Sequence, residues 1–311
     1  MTQDKEWHEQ RLNGIGGSEA SIILGINPWQ SRLELWNTKV NRIIKETEED
    51  NIRFELGHIF EPRIAEHYTK KTGRILETRG QKVHPKYSFI NGNVDREIVK
   101  SKRSEPGILE IKTKGAFVDW HGEEIPPYYI AQLQQYLAVY GYNWGSFAVL
   151  DFTTLKITVT DIERDDKLIN HIIEEEIKFW NLVQSKTPPE LESTKACASF
   201  LEEKYKKSSP KVVIDISDNA VATAYAIKLN EVKQKIKELK LTETECKVYF
   251  MDRMKTADKA IGINYSITWR SPEDKTVFDM DKFKLDHPKL YKDYTSTEPS
   301  TRRFTFKFKK E

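Results

Sequence analysis

Two short stretches hold the residue types from which a hydrolytic centre can be built: Asn91-Gly-Asn-Val-Asp95 and Gly107-Ile-Leu-Glu-Ile-Lys-Thr113. In the second, Leu109 and Ile111 alternate with Glu110 and Lys112, so a strand here puts the carboxylate and the ammonium on one face. Val94, Ile98 and Val99 predict a preceding strand, and Lys100 to Pro106 is the polar connection of a hairpin. With the turn centred near Arg103, Asp95 lies opposite Lys112 and about one pleat step from Glu110. Glu97 falls on the same face, and spacing leaves open which acid is the ligand. Hard divalent cations such as Mg2+ take one or two carboxylates plus waters and substrate phosphate. A pair of such ions activates water and stabilises the leaving oxygen in phosphodiester cleavage. Mn2+ suits the same oxygen donors. A lysine beside the ions orients the attacking water or offsets charge on the phosphate. A lone Glu-x-Lys is more often a salt-bridged, exposed sheet face, so the reading depends on what surrounds it.

Several other segments could serve the same chemistry. Gly14-Ile-Gly-Gly-Ser18 feeds a short apolar helix through Ala20, Ile22, Ile23 and Leu24. Backbone N–H groups of such a turn can hold an anion, with Ser18 as hydroxyl donor or N-cap and Arg11 as a bidentate clamp. A helix is predicted over roughly 52–72, ended by Gly73, with Pro62 inside it and Glu61 beside the proline. A kink there that turns Glu61 inward would suit an acid of the metal site. After Pro126-Pro127 comes a helix to Tyr140, ended by Gly141. Gln132, Gln135 and Tyr136 share one face of it, while Leu133, Leu137 and Tyr140 form the packing side. Glutamine amides can bind a phosphate or a metal-bound water, although such a face is usually solvated.

Around these lie the elements that must position them. Ser31-Arg-Leu-Glu34 is a capping box opening a helix with Leu33, Leu35, Trp36 and Val40 as packing residues. An acidic stretch, Lys45 to Asp50, precedes the next helix. Residues 74–99 read as strands around an Asn91-Gly92 turn. Ser146 to Leu150 and Lys156 to Thr160 read as two strands, followed by an amphipathic helix from Asp165 to about Gln184. Pro188-Pro189 opens a boundary, and Lys204 to Lys211 is a basic linker. Domains are expected at 1–204, the core, and 205–311, an extension packed on or continuous with it. In the extension, Tyr225, Leu229, Val232, Ile236 and Leu239 recur at 4-3-4-3 spacing, a short coiled-coil-like seam expected to pack on its own protein. The tail from Arg302 to Lys310 alternates phenylalanine with basic or polar residues, as an edge strand would.

The 311 residues, 38% of them hydrophobic, suffice for a sizeable core. Fifty basic against 48 acidic residues leave a net charge of +2, which disfavours a strongly basic non-specific binder. A nucleic-acid partner would need positive charge gathered in a groove. Cys197 and Cys246 are too few for a disulfide framework, a zinc cluster or a four-cysteine iron–sulfur centre. No apolar leader or membrane-length run is present, and a cytoplasmic setting is expected.

Taken in order, these residues resemble the YqaJ-type viral recombinase family, relatives of phage lambda exonuclease in the PD-(D/E)XK nuclease superfamily. The likeness runs through Arg11…Gly14-Ile-Gly-Gly-Ser18, Leu33-Glu-Leu-Trp36, Gly57-His…Glu61-Pro62, Asn91-Gly-Asn-Val-Asp95, Leu109-Glu-Ile-Lys-Thr113 and Tyr129-Ile-Ala-Gln132-Leu-Gln134-Gln-Tyr136, over roughly residues 8–150. It extends faintly to Phe278-Asp-Met-Asp-Lys-Phe283 and Arg302-Arg-Phe304. The resemblance implies an α/β fold with a PD-(D/E)XK restriction-endonuclease-like core, a central mixed sheet flanked by helices, and a helical and β C-terminal extension. It implies a Mg2+-dependent exonuclease with two ions per site, degrading one strand of duplex from its 5′ end to leave 3′ overhangs. Asp95, Glu110 and the Ile111 carbonyl would hold metal, Lys112 would assist the attacking water, and Glu61 and Gln132 would complete the site. Arg11, Ser18, Gly17, Asn93 and Tyr136 would hold DNA and its 5′ phosphate. Implied partners are double-stranded DNA ends, a phage single-strand annealing protein and further copies of the chain in a ring-shaped homo-trimer, in the bacterial host cytoplasm. Val94 stands where the superfamily name has proline, and Arg96 follows Asp95 where relatives often have a smaller residue. The alternative readings are a structure-specific endonuclease and a non-catalytic DNA-end-binding scaffold.

Overall fold

A computed structural model describes residues 9, 11–43, 52–115, 120, 124–209, 211–296 and 302–308. The acidic stretch expected at 45–50 lies outside the described residues, as do most of residues 1–10 and the tail's last lysines. Two compact units divide at 205/206.

In the first unit, the helices before the sheet are α1 (Gly17–Ile23), α2 (Arg32–Val40) and α3 (Ile52–Thr72). Their ends follow local chemistry. The Ser31 hydroxyl accepts from the Glu34 N–H at the start of α2. Gly73, at φ 71°, turns the chain out of α3 in a conformation that a Cβ disfavours. α1 is capped by Gly16, not by Ser18, which sits inside its first turn.

Five strands form the main sheet in the order β1 (Ile75–Glu77), β4 (Arg96–Lys100), β5 (Gly107–Lys114), β6 (Trp144–Asp151), β7 (Lys156–Glu163). β5 and β6 run parallel and the other pairs antiparallel. The β5–β6 pair needs a crossover, supplied by α4 (Pro127–Tyr140) on one face of the sheet. Ile108, Phe147 and Val149 pack with Leu133 and Leu137 of α4 on that face. On the other, Leu109, Ile111, Ala148 and Leu150 pack with Ile64, Ala65 and Tyr68 of α3. Both faces of β5 and β6 are thus covered, as a parallel pair requires. α5 (Asp166–Gln184) lays Phe179 and Val183 against Ile22, Ile23 and Leu35 of α1 and α2, and α6 (Lys195–Lys204) follows.

Four expectations need correction. Asn91-Gly92 is not a turn but a short strand, β3, paired with β2 (Lys82–Val83). Ile90 bridges Ile15, which holds the segment extended. In the β4–β5 hairpin Glu97 pairs with Ile108 and Arg96 with Leu109, so continuing the ladder sets Asp95 opposite Glu110, not Lys112. The shift is two residues, which leaves every side chain on its expected face. The third concerns α4, whose residues Ala131 to Tyr140 are all buried, so Gln132, Gln135 and Tyr136 are as enclosed as the packing side of Leu133, Leu137 and Tyr140.

The fourth lies in the second unit. It holds the long helix α7 (Ala220–Met254), a two-stranded β8–β9 pair (Lys259–Ile261, Ser266–Thr268) and two short helices, α8 (Met280–Asp286) and α9 (Pro288–Asp293). Among the described residues the tail at 302–308 pairs with no strand, and alternation without a ladder partner does not make one. Within this unit Tyr225, Val232, Ile236 and Leu239 of the seam are covered by no other element. No helix among the described residues is long and apolar enough to cross a membrane.

Candidate active site

The alternation of β5 directs Ile108, Glu110 and Lys112 toward α4, where the first helical turns present Tyr129, Gln132 and Tyr136. Glu110 is only 1% exposed. Its Oε2 accepts from Lys112 Nζ at 2.9 Å and from Gln132 Nε2 at 3.2 Å. Its Oε1 is buried without a side-chain hydrogen-bond partner, and the Asp95 backbone N–H also acts on this carboxylate. The same Gln132 amide donates to the Tyr136 hydroxyl at 3.1 Å. Asp95 joins from the end of β4: its Oδ2 accepts from the Ile111 N–H at 2.7 Å. A strand residue turns its N–H and C=O to the same edge, so the Ile111 carbonyl also faces the Asp95 side.

Electrostatics follow from this crowding. Burial pushes the Glu110 carboxyl up to about 8, and the Asp95 charge adds to the rise against the pull of Lys112. Asp95 is raised by burial too, with Lys112 and the Ile111 N–H opposing. Burial alone would lower Lys112, but Glu110 and Asp95 reverse it, so the ammonium is held more firmly than an ordinary lysine. The Tyr136 phenol is raised by burial and by Glu110 and stays neutral. The site is therefore two acidic groups in a low-dielectric pocket with one fixed cation, short of positive charge.

Glu61 stands apart from this cluster. Arg96 Nη1 meets its Oε1 at 2.6 Å and also donates to the Asp95 carbonyl. Arg96 thus neutralises Glu61 while Glu61 still weighs on Asp95. Among the described residues no three of His, Cys, Asp or Glu converge as a metal-ligand group. Asp95 and Glu110 act on each other across the hairpin with Lys112 opposing both, and carboxylates are the donors that a hard divalent cation takes together with water and phosphate. Glu97, which shares the face, is taken up elsewhere, by Arg79 at 2.9 Å and by the Tyr142 hydroxyl.

The glycine-rich loop is wired to the same centre through Tyr136. A Cβ on Gly17 would lie 2.2 Å from the Tyr136 ring, and one on Gly92 3.0 Å from it. Only glycine at position 17 allows α1 to approach so closely. Arg11 Nη2 donates to the exposed Ser18 hydroxyl at 3.1 Å, so guanidinium and hydroxyl sit together at the surface. Asn93 is exposed two residues before Asp95, whereas Tyr136 is buried and links loop to carboxylate.

Sequence reasoning passed over the residues that hold this loop. Lys39 of α2 is 4% exposed and donates to the carbonyls of Arg11 (2.8 Å) and Gly14 (2.6 Å) and to Glu19 (2.9 Å). Glu19 in turn accepts from the Gly16 N–H at 2.9 Å. The Gly16-x-x-Glu19 spacing is that of a capping box and could have been noticed. A lone lysine in an amphipathic helix gives no such sign. Behind the pair, Glu176 of α5 is fully buried, and burial followed by the Glu19 charge raises its carboxyl well above the usual range.

The YqaJ-like viral recombinase domain family matches residues 6–143. The Bacillus subtilis (strain 168) protein YqaJ is 35% identical over 316 aligned residues, covering 99% of this chain and 95% of the relative. Among solved structures, an alkaline exonuclease (LHK-Exo) from Laribacter hongkongensis superimposes with TM-score 0.49 at 23% identity, over 64% of this chain and 97% of that one. Its complex with dAMP gives 0.47 at 22% identity, over the same shares of the two chains. A phage-related exonuclease from Haemophilus somnus 129PT gives 0.42 at 15%, over 57% of this chain and 99% of that one.

Proposed function

Because this chain belongs to the YqaJ-like viral recombinase family, we propose that it is a divalent-metal-dependent exonuclease of a phage-type recombination system. In this reading it degrades one strand of linear duplex DNA from the 5′ end and leaves 3′ single-stranded overhangs. The observation that carries it is the Glu110 carboxylate, buried to 1%, with one oxygen held by Lys112 and Gln132 and the other without a side-chain partner. Burial pushes this carboxyl up to about 8, so holding it in the charged form is costly unless a cation completes it.

Asp95, Glu110 and the Ile111 carbonyl would hold Mg2+, or Mn2+, and Glu61 would serve a second ion once released from Arg96. When bound, such ions make water a nucleophile at neutral pH and offset charge on the leaving oxygen. The chain's own residues do the rest. Lys112, kept charged by its acidic neighbours, stabilises the developing negative charge at the phosphate from a fixed position. Gln132 restrains the Glu110 oxygen that faces Lys112. Arg11 and Ser18, already bonded to each other, present a guanidinium and a hydroxyl to a 5′ phosphate. The ring-shaped homo-trimer, the single-strand annealing partner and the bacterial cytoplasmic setting in this reading rest on family resemblance.

The test is a Mg2+ and Mn2+ titration with 5′-phosphorylated linear duplex labelled at either end. One strand should shorten from its 5′ end, and Glu110→Gln or Lys112→Ala should stop it while binding to DNA ends survives. No nucleotide release at any cation concentration would overturn the nuclease reading in favour of a DNA-end-binding scaffold. Cutting of nicked circles would favour an endonuclease.

A further inference from the structure

An aromatic ladder runs from the candidate active site to the surface. It begins at Lys112, whose Nζ lies 5.0 Å from the Tyr129 ring centroid. Tyr129 meets Tyr128 edge-on at 4.6 Å between centroids, and Tyr128 meets Trp29 edge-on at 5.0 Å and 72°. Trp120 closes the inner end, 5.4 Å from Tyr129. The inner rings are buried or half-buried, but Trp29, at the outer end, is 59% exposed. Burial does not account for an indole left in water at the tip of a loop.

The loop that carries it is built, not loose. Asn27 Oδ1 accepts from the N–H groups of Trp29 and Gln30, both at 2.9 Å. Asn27 Nδ2 donates to the Ser21 hydroxyl at 3.0 Å, and the N–H groups of Ile26 and Asn27 donate to the Ser21 carbonyl. Trp29 is therefore anchored to α1, the helix that carries Ser18. Its contact with Tyr128 is T-shaped, which leaves indole surface uncovered.

We infer that Trp29 is a stacking platform for an unpaired nucleobase of the DNA end, seated three ring contacts from Lys112. The inference rests on the nuclease reading for the identity of the polymer, and on the ladder's geometry for the site. An exposed, rigidly held aromatic near a phosphate-handling centre fits a base face, because every nucleobase offers one whatever its sequence. At about 3.4 Å per stacked nucleotide, a strand of a few nucleotides spans from the ladder's inner end to Trp29. The platform would hold a frayed end open while Arg11 and Ser18 take its phosphate.

The experiment measures binding in chelator, so that no cleavage is needed. Fluorescence anisotropy compares a 5′-phosphorylated duplex with three mismatched terminal pairs against its fully paired form. Wild-type protein should prefer the frayed end, and Trp29→Ala should lose about 5- to 140-fold of that affinity, the range expected for one stacked base. Trp29→Phe should keep most of it. In a second arm the wild-type protein alone meets frayed ends whose unpaired positions are abasic, and affinity should fall as it does for Trp29→Ala. Equal affinity of wild type for abasic and base-bearing frayed ends overturns the platform, whatever the variants do. That outcome leaves the nuclease reading intact, since the cation titration alone decides it.

Discussion

Replacing Glu110 by glutamine should abolish nucleotide release and at the same time stabilise the metal-free protein, by an amount that depends on pH. Glu110→Gln keeps the shape of the side chain and removes its charge. In the folded chain the carboxyl stays protonated up to about pH 8, against 4.5 for an ordinary glutamate. At about 1.4 kcal/mol per tenfold, that difference is about 5 kcal/mol. The sign is set by which state holds the proton. Below pH 4.5 both folded and unfolded glutamate are protonated and the site is neutral for stability. As pH rises toward 8 the unfolded chain releases its proton freely while the folded one must either retain it or bury a charge, so wild-type stability is progressively lost. The glutamine variant has nothing to titrate there. The two proteins should therefore melt together near pH 4.5 and part by about 10–20 °C near pH 9, at about 2–4 °C per kcal/mol for a unit of this size. Thermal melts in chelator, followed by tryptophan fluorescence, report the first unit through every tryptophan but Trp269. Adding Mg2+ at pH 9 should raise the wild-type melting temperature more than the variant's. Coincident melting curves from pH 5 to 9, or a wild type more stable at pH 9, would refute the reasoning that this carboxylate is buried at a cost to stability for the sake of a cation.

Two further outcomes test the loop that faces it. Lys39→Met leaves Glu19 buried without its ammonium and the Arg11 and Gly14 carbonyls uncapped. It should cost about 3–5 kcal/mol in urea unfolding, partly recovered when Glu19→Gln is added, and a loss under about 1 kcal/mol would show that the pair is not buried as described. Gly17→Ala drives a methyl into the Tyr136 ring and should pull the Tyr136 hydroxyl from Gln132. Overpacking of this kind costs about 1–3 kcal/mol, and nucleotide release should fall with it, so wild-type turnover and stability in this variant would mean that the ring is free to move aside.

Much of the frame was legible before any fold was known. The alternation in Gly107–Lys114 put Glu110 and Lys112 on one face because strand dihedrals are local and fix a period of two. Ser31 at one helix start, and Gly73 and Gly141 at two helix ends, marked boundaries because orphan N–H and C=O groups are satisfied by residues next to them in the chain. The tertiary structure decided who stands opposite whom. The two-residue change of register that faces Asp95 with Glu110 depends on the geometry of the connection between β4 and β5, which composition does not specify. Asn91-Gly92 reads as a turn by itself and becomes a strand because β2 and Ile15 offer it partners. The burial of Gln132, Gln135, Glu19, Lys39 and Glu176, and the ladder from Lys112 to Trp29, join residues from separate elements. Periodicity along one segment says which side chains share a face, but whether that face meets water, apolar side chains or another charge is set by whatever distant segment comes to cover it.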